Sequence, residues 1–179
     1  AGRTLDPAVA DVFRGLPEVA DVATAHAVTL RSPAHGPIDV LAVDRDIAGA
    51  GRRYLATVDG PAAMPRALAD GRLAISEPLA RRLGLGAGDA LTLLSDRGPR
   101  TFAIAGVFYD YGADRGLALM ADRVYRAGWD DARLTSLALT LAPGIDADAY
   151  AAALERRFGR QGGARLRIQS NRGLRAEVM

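Results

Sequence analysis

The sequence predicts an α+β fold with two lobes, for three reasons. First, 49% of its 179 residues are apolar and 25% are charged, a composition typical of a globular protein with a core. Second, both ends of the chain carry regular helix and strand patterns. Third, the middle carries shorter elements separated by turn residues such as Gly60-Pro61. We therefore expect a β-α-β lobe of residues 1–35 and 132–179, with a mixed α/β lobe of residues 36–131 inserted in it.

The N-terminal end predicts a helix followed by a long strand. Asp6 and Pro7 suit the first positions of the helix. Its expected buried face consists of apolar residues at helical spacing, namely Val9, Val12, Phe13 and Leu16. The strand covers Val19–Leu30, and its period of two places Val22 and His26 on the same face.

The C-terminal end predicts a strand, a helix and a further strand. Leu134–Leu141 alternates apolar and polar residues, as a strand with one buried face does. Asp146 suits the cap of the next helix. The apolar stripe of this helix is Tyr150, Leu154 and Phe158. Arg165–Ser170 is typical of a strand, and we expect it to share a sheet with Leu134–Leu141 and Val19–Leu30.

The inserted lobe contains a hairpin and several short helices. Ala90–Leu94 and Arg100–Phe108 flank turn residues, which predicts that they pair as a hairpin. Ser76 suits the cap of a helix that has Pro78 in its first turn. Further short elements are expected at residues 38–43, 52–58, 63–69, 72–75, 117–120 and 122–128. We expect the hairpin to lie in a sheet separate from that of the terminal lobe.

Residue usage excludes several function classes. All 23 basic residues are Arg, and they are scattered along the chain among 21 acidic residues, so no nucleic-acid-binding surface is expected. Because the chain has no Cys, it has neither a disulfide framework nor a thiolate metal site. No apolar stretch approaches the roughly 18 residues that a transmembrane helix needs. Since the sequence starts at Ala1 rather than Met, we expect a processed protein or a fragment of a longer one.

No motif in the sequence predicts catalysis or cofactor binding. The two histidines, His26 in a strand and His35 in a turn, lack the converging ligands of a metal site. Ser76 is better explained as a helix cap than as a nucleophile, because no nucleophile-elbow motif surrounds it. Gly84–Gly88 follows a helix and opens a strand, which is the reverse of a phosphate-binding loop. We therefore expect no catalytic, cofactor-binding or metal-binding residues.

The most unusual segment is Tyr109–Gly116. Because Tyr and Arg are favoured in protein interfaces, this segment is a candidate loop for partner contact. The candidate contact residues are Tyr109, Asp110, Tyr111, Asp114 and Arg115. Two alternatives stay open for it: a structural turn with a stacked Tyr and an Asp–Arg pair, and an acid/base pair formed by Asp110 and Asp114.

Three stretches of the chain, taken in order, resemble one family. In Leu73–Leu93, a short strand and a helix lead through a Gly-Asp turn into another strand. Phe102–Gly116 and Ser170–Arg175 are the second and third stretches. Together they resemble the MacB-like periplasmic core domain of FtsX-like ABC transporter permeases, and the resemblance extends over about residues 16–175.

The resemblance implies both a fold and a function. Members of this family have a porter-like lobe near the membrane and an inserted distal lobe, which agrees with the division expected from the residues. They perform no chemistry outside the membrane, where they relay conformational change and contact substrate or partner proteins. The implied location is the periplasmic or extracellular face of the bacterial inner (cytoplasmic) membrane, in a membrane-embedded parent chain without a cofactor. The implied substrates are lipoprotein, lipid or other hydrophobic molecules that are exported or released.

The resemblance also implies partners and a placement of the chain ends. The implied partners are a cytoplasmic ABC ATPase, a second permease copy or homologue, and a periplasmic partner protein. In a permease both ends lead toward the membrane, so the Cα atoms near Leu5 and Leu174 should lie within about 20 Å of each other. Two other hypotheses stay open: a stand-alone extracellular module that binds a small ligand, and a hydrolase that uses Asp110 and Asp114.

Overall fold

The computed structural model describes residues 4–45, 52–110 and 114–158. Over these residues the chain forms eight strands and five α-helices. The strands are β1 Val19–Ser32, β2 Gly36–Val43, β3 Tyr54–Thr57, β4 Leu73–Ser76, β5 Ala90–Ser95, β6 Gly98–Phe108, β7 Ala118–Ala121 and β8 Ser136–Leu141. The helices are α1 Ala8–Arg14, α2 Met64–Ala69, α3 Glu77–Leu83, α4 Asp122–Gly128 and α5 Ala147–Phe158.

The chain divides into two compact units. One contains residues 1–22 and 139–179, and the other contains residues 23–138, so the chain passes between them within β1 and again within β8. The lobes expected from the sequence, residues 1–35 with 132–179 and residues 36–131, stay a prediction. The strand expected at Arg165–Ser170 and the position of Leu174 lie outside the described residues.

The strands are hydrogen-bonded in the order β3-β6-β4-β7-β2-β1-β8. In addition, β5 pairs with the first part of β6, residues 98–103. The pairs β2–β7 and β4–β6 are parallel, whereas β1–β2, β4–β7 and β5–β6 are antiparallel. The expectation that the hairpin β5–β6 lies in a sheet separate from β1 is therefore wrong. The cause is β7, a four-residue strand that pairs with β4 on one side and with β2 on the other.

Helices cover both faces of the sheet in the unit of residues 23–138. Because side chains alternate along a strand, Leu73 and Ile75 of β4 lie in one apolar cluster and Ala74 lies in another. The first cluster includes Leu79 of α3 and Tyr125 of α4. The second cluster contains the buried residues Met64, Ala67 and Leu68 of α2. Each large apolar side chain buried in this way contributes about 1.5–3 kcal/mol to stability.

The local signals in the sequence place two helices as expected. Helix α3 begins after Ser76, whose hydroxyl oxygen accepts a hydrogen bond from the backbone N–H of Leu79 at 3.4 Å. It ends at Gly84, which has the left-handed φ of +66° that favours glycine. Helix α4 has the bounds that the sequence predicted, Asp122–Gly128. Both predictions are confirmed.

The unit of residues 1–22 and 139–179 is described over residues 4–22 and 139–158. Its helix α1 starts where the Asp6 carboxylate accepts a hydrogen bond from the Ala8 N–H at 2.8 Å. Phe13 packs edge-on against Phe158 of α5, with 5.5 Å between ring centroids. The prediction that Val12 belongs to the buried face is wrong, because its side chain is 52% exposed. The buried residues of this seven-residue helix are Ala10 and Phe13, a narrower stripe than the sequence suggested.

Candidate functional site

The predicted contact residues lie in the β6–β7 loop, residues 109–117. Tyr109 and Asp110 come directly after β6 and are half-buried. Asp114 and Arg115 are exposed, and they precede the buried Gly116. Tyr111 lies outside the described residues. A contact role for these side chains stays a prediction.

The first end of the β6–β7 loop is attached to Arg53, the residue before the edge strand β3. The backbone N–H of Tyr109 donates a hydrogen bond to the carbonyl oxygen of Arg53 at 3.0 Å. The Arg53 guanidinium lies 5.9 Å from the centroid of the Tyr109 ring, and that of Arg52 lies 4.3 Å from the Phe108 ring. Such cation–π contacts contribute about 0.5–1 kcal/mol each at exposed positions. The loop therefore leaves the sheet at a fixed point.

The second end of the β6–β7 loop is attached to the start of α3. The Ser76 hydroxyl oxygen accepts a hydrogen bond from the Leu117 N–H at 2.9 Å, and the Ser76 N–H donates to the Leu117 carbonyl oxygen at 2.9 Å. Gly116 has a φ of +67°. A Cβ atom on Gly116 would lie 2.3 Å from the Leu79 nitrogen and 2.5 Å from the Ser76 Oγ. Only glycine fits this close approach. The second end of the loop is therefore held by hydrogen bonds to Ser76 and by the absence of a side chain at Gly116.

A second polar cluster lies around Asp131, and the sequence reading did not identify it. The Asp131 carboxylate faces the Nε2 of His26 at 3.0 Å and accepts a hydrogen bond from the Tyr125 hydroxyl at 3.2 Å. Arg133 donates to both carboxylate oxygens, from Nε at 2.8 Å and from Nη2 at 2.9 Å. Because the carboxylate is an acceptor, His26 donates through an Nε2 proton. Its Nδ1 is buried and has no hydrogen-bond partner within the described residues.

The charges of this cluster follow from its geometry. Hydrogen bonds from Arg133, joined by the contact with His26, hold the pKa of Asp131 well below its ordinary value of 3.8, against the opposing effect of burial. Burial, together with the Asp131 charge, raises the pKa of the Tyr125 hydroxyl well above its ordinary value of 10.0. Asp131 is therefore ionised and Tyr125 neutral at physiological pH.

The Asp131 cluster is closed to solvent on its aromatic side. The His26 side chain is only 3% exposed, and its ring lies 5.4 Å from that of Tyr125. The Tyr125 ring stacks on Trp129 at 5.3 Å, and the Trp129 indole N–H donates to the Leu94 carbonyl oxygen at 3.0 Å. The prediction that Tyr125 and Trp129 are core residues is confirmed. The His26 imidazole is thus enclosed by protein, whereas the Arg133 side chain on the other side of the carboxylate is exposed.

Comparison with known proteins gives a relative in sequence. An ABC transporter permease protein of Mycobacterium tuberculosis is 34% identical over 167 residues, which cover 91% of this chain and 19% of that protein. The chain thus spans about a fifth of the length of this relative. No protein-family model matches the chain.

Solved structures of low sequence identity share the fold. The periplasmic region of MacB from Actinobacillus actinomycetemcomitans gives a TM-score of 0.64 at 9% identity, over 99% of this chain and 84% of that one. The extracellular domain of the noncanonical ABC-type transporter YknZ from Gram-positive bacteria gives 0.58 at 10% identity, over 87% and 85%. The chain is similar to the extracytoplasmic domain of an ABC transporter permease. The resemblance and the α+β fold expected from the sequence are confirmed.

The described residues were also compared with the requirements of a membrane-spanning helix, a metal site and a ligand pocket. Among the described residues, no helix has both the length and the apolar character needed to cross a bilayer. The same residues contain no group of three or more His, Cys, Asp or Glu side chains arranged to hold a metal ion. A pocket of about 380 Å³ is lined by residues 29–31, 36 and 37. The Thr29 hydroxyl there already donates to Asp39 at 2.7 Å.

Proposed function

We propose that this chain is the extracytoplasmic domain of an ABC transporter permease and that it relays conformational change across the outer side of the membrane. The observation that carries the proposal is the 34% identity to a permease over 91% of this chain. The MacB-like fold supports the same assignment. The chain then lies on the periplasmic or extracellular face of the bacterial cytoplasmic membrane and acts as a transport component without catalytic residues of its own.

The proposed partners and substrates follow from the permease assignment. The permease works with a cytoplasmic ABC ATPase and with a second permease copy or homologue. The transported or released substrate is a lipoprotein, a lipid or another hydrophobic molecule. A periplasmic partner protein binds the domain from outside. These finer points rest on the family rather than on a feature of the described residues.

The β6–β7 loop is our candidate for the contact with substrate or partner protein. Its backbone is attached to Arg53 at Tyr109 and to the start of α3 at Leu117. Between these points it exposes Asp114 and Arg115 to solvent. Because Asp114 and Arg115 lie within three residues of the attached Leu117, they lose less conformational entropy on binding than they would far from an attachment point, which favours a role in recognition.

The proposed location can be tested with a single cysteine. The chain contains no Cys, so Arg66→Cys, at a position whose side chain is 89% exposed, introduces one thiol into it. We expect a membrane-impermeant maleimide to label this thiol in the full-length protein in intact cells as completely as after permeabilisation. The unsubstituted protein is the control for other thiols. Labelling that requires permeabilisation would place the domain inside the cell and refute the proposal.

The proposed contact can be tested by comparing labelling rates. Arg115→Cys reports on the β6–β7 loop, and Arg66→Cys on α2 serves as the matched exposed control. We expect the Arg115→Cys thiol to react several-fold more slowly in the assembled transporter than in the isolated chain, while the rate at Arg66→Cys stays unchanged. If both positions keep the same rates in the two samples, the loop does not contact a partner.

A further inference from the structure

The Asp131 cluster lies where two distant segments of the unit of residues 23–138 meet. His26 belongs to β1, whereas Asp131 and Arg133 belong to the connection between α4 and β8. His26 and Asp131 are 105 residues apart in the sequence. Their contact therefore fixes a long-range pairing that no local signal imposes.

Hydrogen bonds between Thr135 and the backbone of β1 continue this pairing toward β8. The Thr135 N–H donates to the Ala25 carbonyl oxygen at 2.9 Å. The Ala27 N–H donates to the Thr135 hydroxyl oxygen at 2.8 Å, and that hydroxyl donates to the Ala25 carbonyl oxygen at 3.3 Å. The connection into β8 is thus bound to β1 on both sides of His26.

We propose that His26, Tyr125, Asp131, Arg133 and Thr135 form a clasp that makes β1 and the chain entering β8 move as one body. These two strands are the places where the chain passes from one compact unit to the other. All five clasp residues belong to the unit of residues 23–138, so the clasp acts within this unit. Its value for relaying conformational change rests on the proposed function, but the mechanical coupling itself does not.

The clasp depends on charge as well as on packing. Asp131 accepts from three different side chains, so its carboxylate is the common acceptor of the clasp. An Asn at this position removes the charge and replaces one of the two acceptor oxygens with an NH2 group, which can only donate. Loss of hydrogen bonds to a charged group then opens the connection locally, before the unit as a whole unfolds.

Amide hydrogen exchange of the 179-residue chain tests the clasp. The amides of Ala27 and Thr135 report on the clasp, and the amide of Ile104, which donates to the Asp89 carbonyl oxygen at 2.8 Å, reports on the rest of the sheet. In Asp131→Asn we expect exchange at Ala27 and Thr135 to accelerate by about tenfold or more, while exchange at Ile104 changes much less. Asp130→Asn is the matched control, because this neighbouring carboxylate pairs with Arg97 at 2.8 Å and is 73% exposed. It should leave all three amides unchanged.

A second variant keeps the test valid if Asp131→Asn does not fold. Arg133→Gln removes the donor whose side chain is 63% exposed, so it leaves no cavity in the core. We expect the same two amides to exchange faster, by a smaller factor. Equal acceleration at Ala27, Thr135 and Ile104 in either variant would mean that these residues stabilise the unit without forming a clasp. Unchanged exchange at Ala27 and Thr135 would also overturn the proposal.

The permease role and the clasp can be refuted independently of each other. A cytoplasmic location in the maleimide experiment would remove the permease role and leave the exchange pattern as it is. A uniform exchange pattern would remove the clasp and leave the location as it is.

Discussion

Substitution of Gly116 by alanine tests whether the second end of the β6–β7 loop is held as described. The φ of Gly116 is +67°, and an alanine in this region costs about 1–2 kcal/mol of backbone strain. Its Cβ would also lie 2.3 Å from the Leu79 nitrogen, a backbone atom that cannot turn away as a side chain can. Overpacking of this kind costs about 1–3 kcal/mol more. We therefore expect Gly116→Ala to lower the free energy of unfolding by about 2–5 kcal/mol, a large share of the stability of a small domain.

Gly84 offers a matched control for the strain alone. Its φ is +66°, and a Cβ atom built on it has no neighbour within 4 Å. Gly84→Ala should therefore cost only the strain, about 1–2 kcal/mol. Urea unfolding followed by the fluorescence of Trp129, the single tryptophan of the chain, measures both variants. If the two substitutions lower the unfolding free energy equally, the close approach of Gly116 to the start of α3 does not exist.

Two further predictions concern the Asp131 cluster and the packing of α1. The folded-state pKa of Asp131 is lowered by Arg133 and His26, so the stability that Asp131 contributes is complete above its ordinary pKa of 3.8 and is lost as the pH falls below it. Unfolding free energies measured between about pH 5 and pH 2 should therefore fall less steeply in Asp131→Asn than in the unchanged chain, and parallel curves would contradict this account. Phe13→Ala should destabilise the chain by about 3–5 kcal/mol, whereas the exposed neighbour Val12→Ala should change stability by less than about 0.5 kcal/mol, as measured by urea unfolding with far-UV circular dichroism.

The helices were predictable from sequence because their signals are local. Ser76 followed by Glu77 and Pro78 marks the start of α3, and Gly84 marks its end, within nine residues. The hairpin β5–β6 was predictable for the same reason, since its two strands adjoin one turn. These elements require no knowledge of what lies far away in the chain.

The order of the strands in the sheet was not predictable, because the residue pattern of a strand does not identify the strands with which it pairs. Residues Ala118–Ala121 indicate a short buried strand, yet nothing in these four residues shows that β7 joins β2 to β4. The separate sheets expected for the two lobes were wrong for this reason. A buried strand that is apolar on both faces fits between neighbours on either side, and only the assembled core decides between them.

One residue of the Asp131 cluster, His26, carries a signal in the sequence. The period of two in the strand places His26 on the same face as the apolar residues Val22 and Leu30, which predicts a buried imidazole. A buried imidazole needs a hydrogen-bond partner, so its position predicted a polar side chain nearby. The identity of that partner depends on a contact across 105 residues, which a single sequence does not reveal.

The residues of the β6–β7 loop that the fold requires differ from those that we propose for partner contact. The fold uses backbone groups of Tyr109 and Leu117 and the missing side chain of Gly116. Asp114 and Arg115 are exposed instead, so substitutions there remove no packing from the core. A change at Gly116 should therefore lower stability, whereas a change at Arg115 should alter only the contact that we propose for the loop. The contact that we propose for the loop can therefore be altered at Asp114 and Arg115 without a change in the fold.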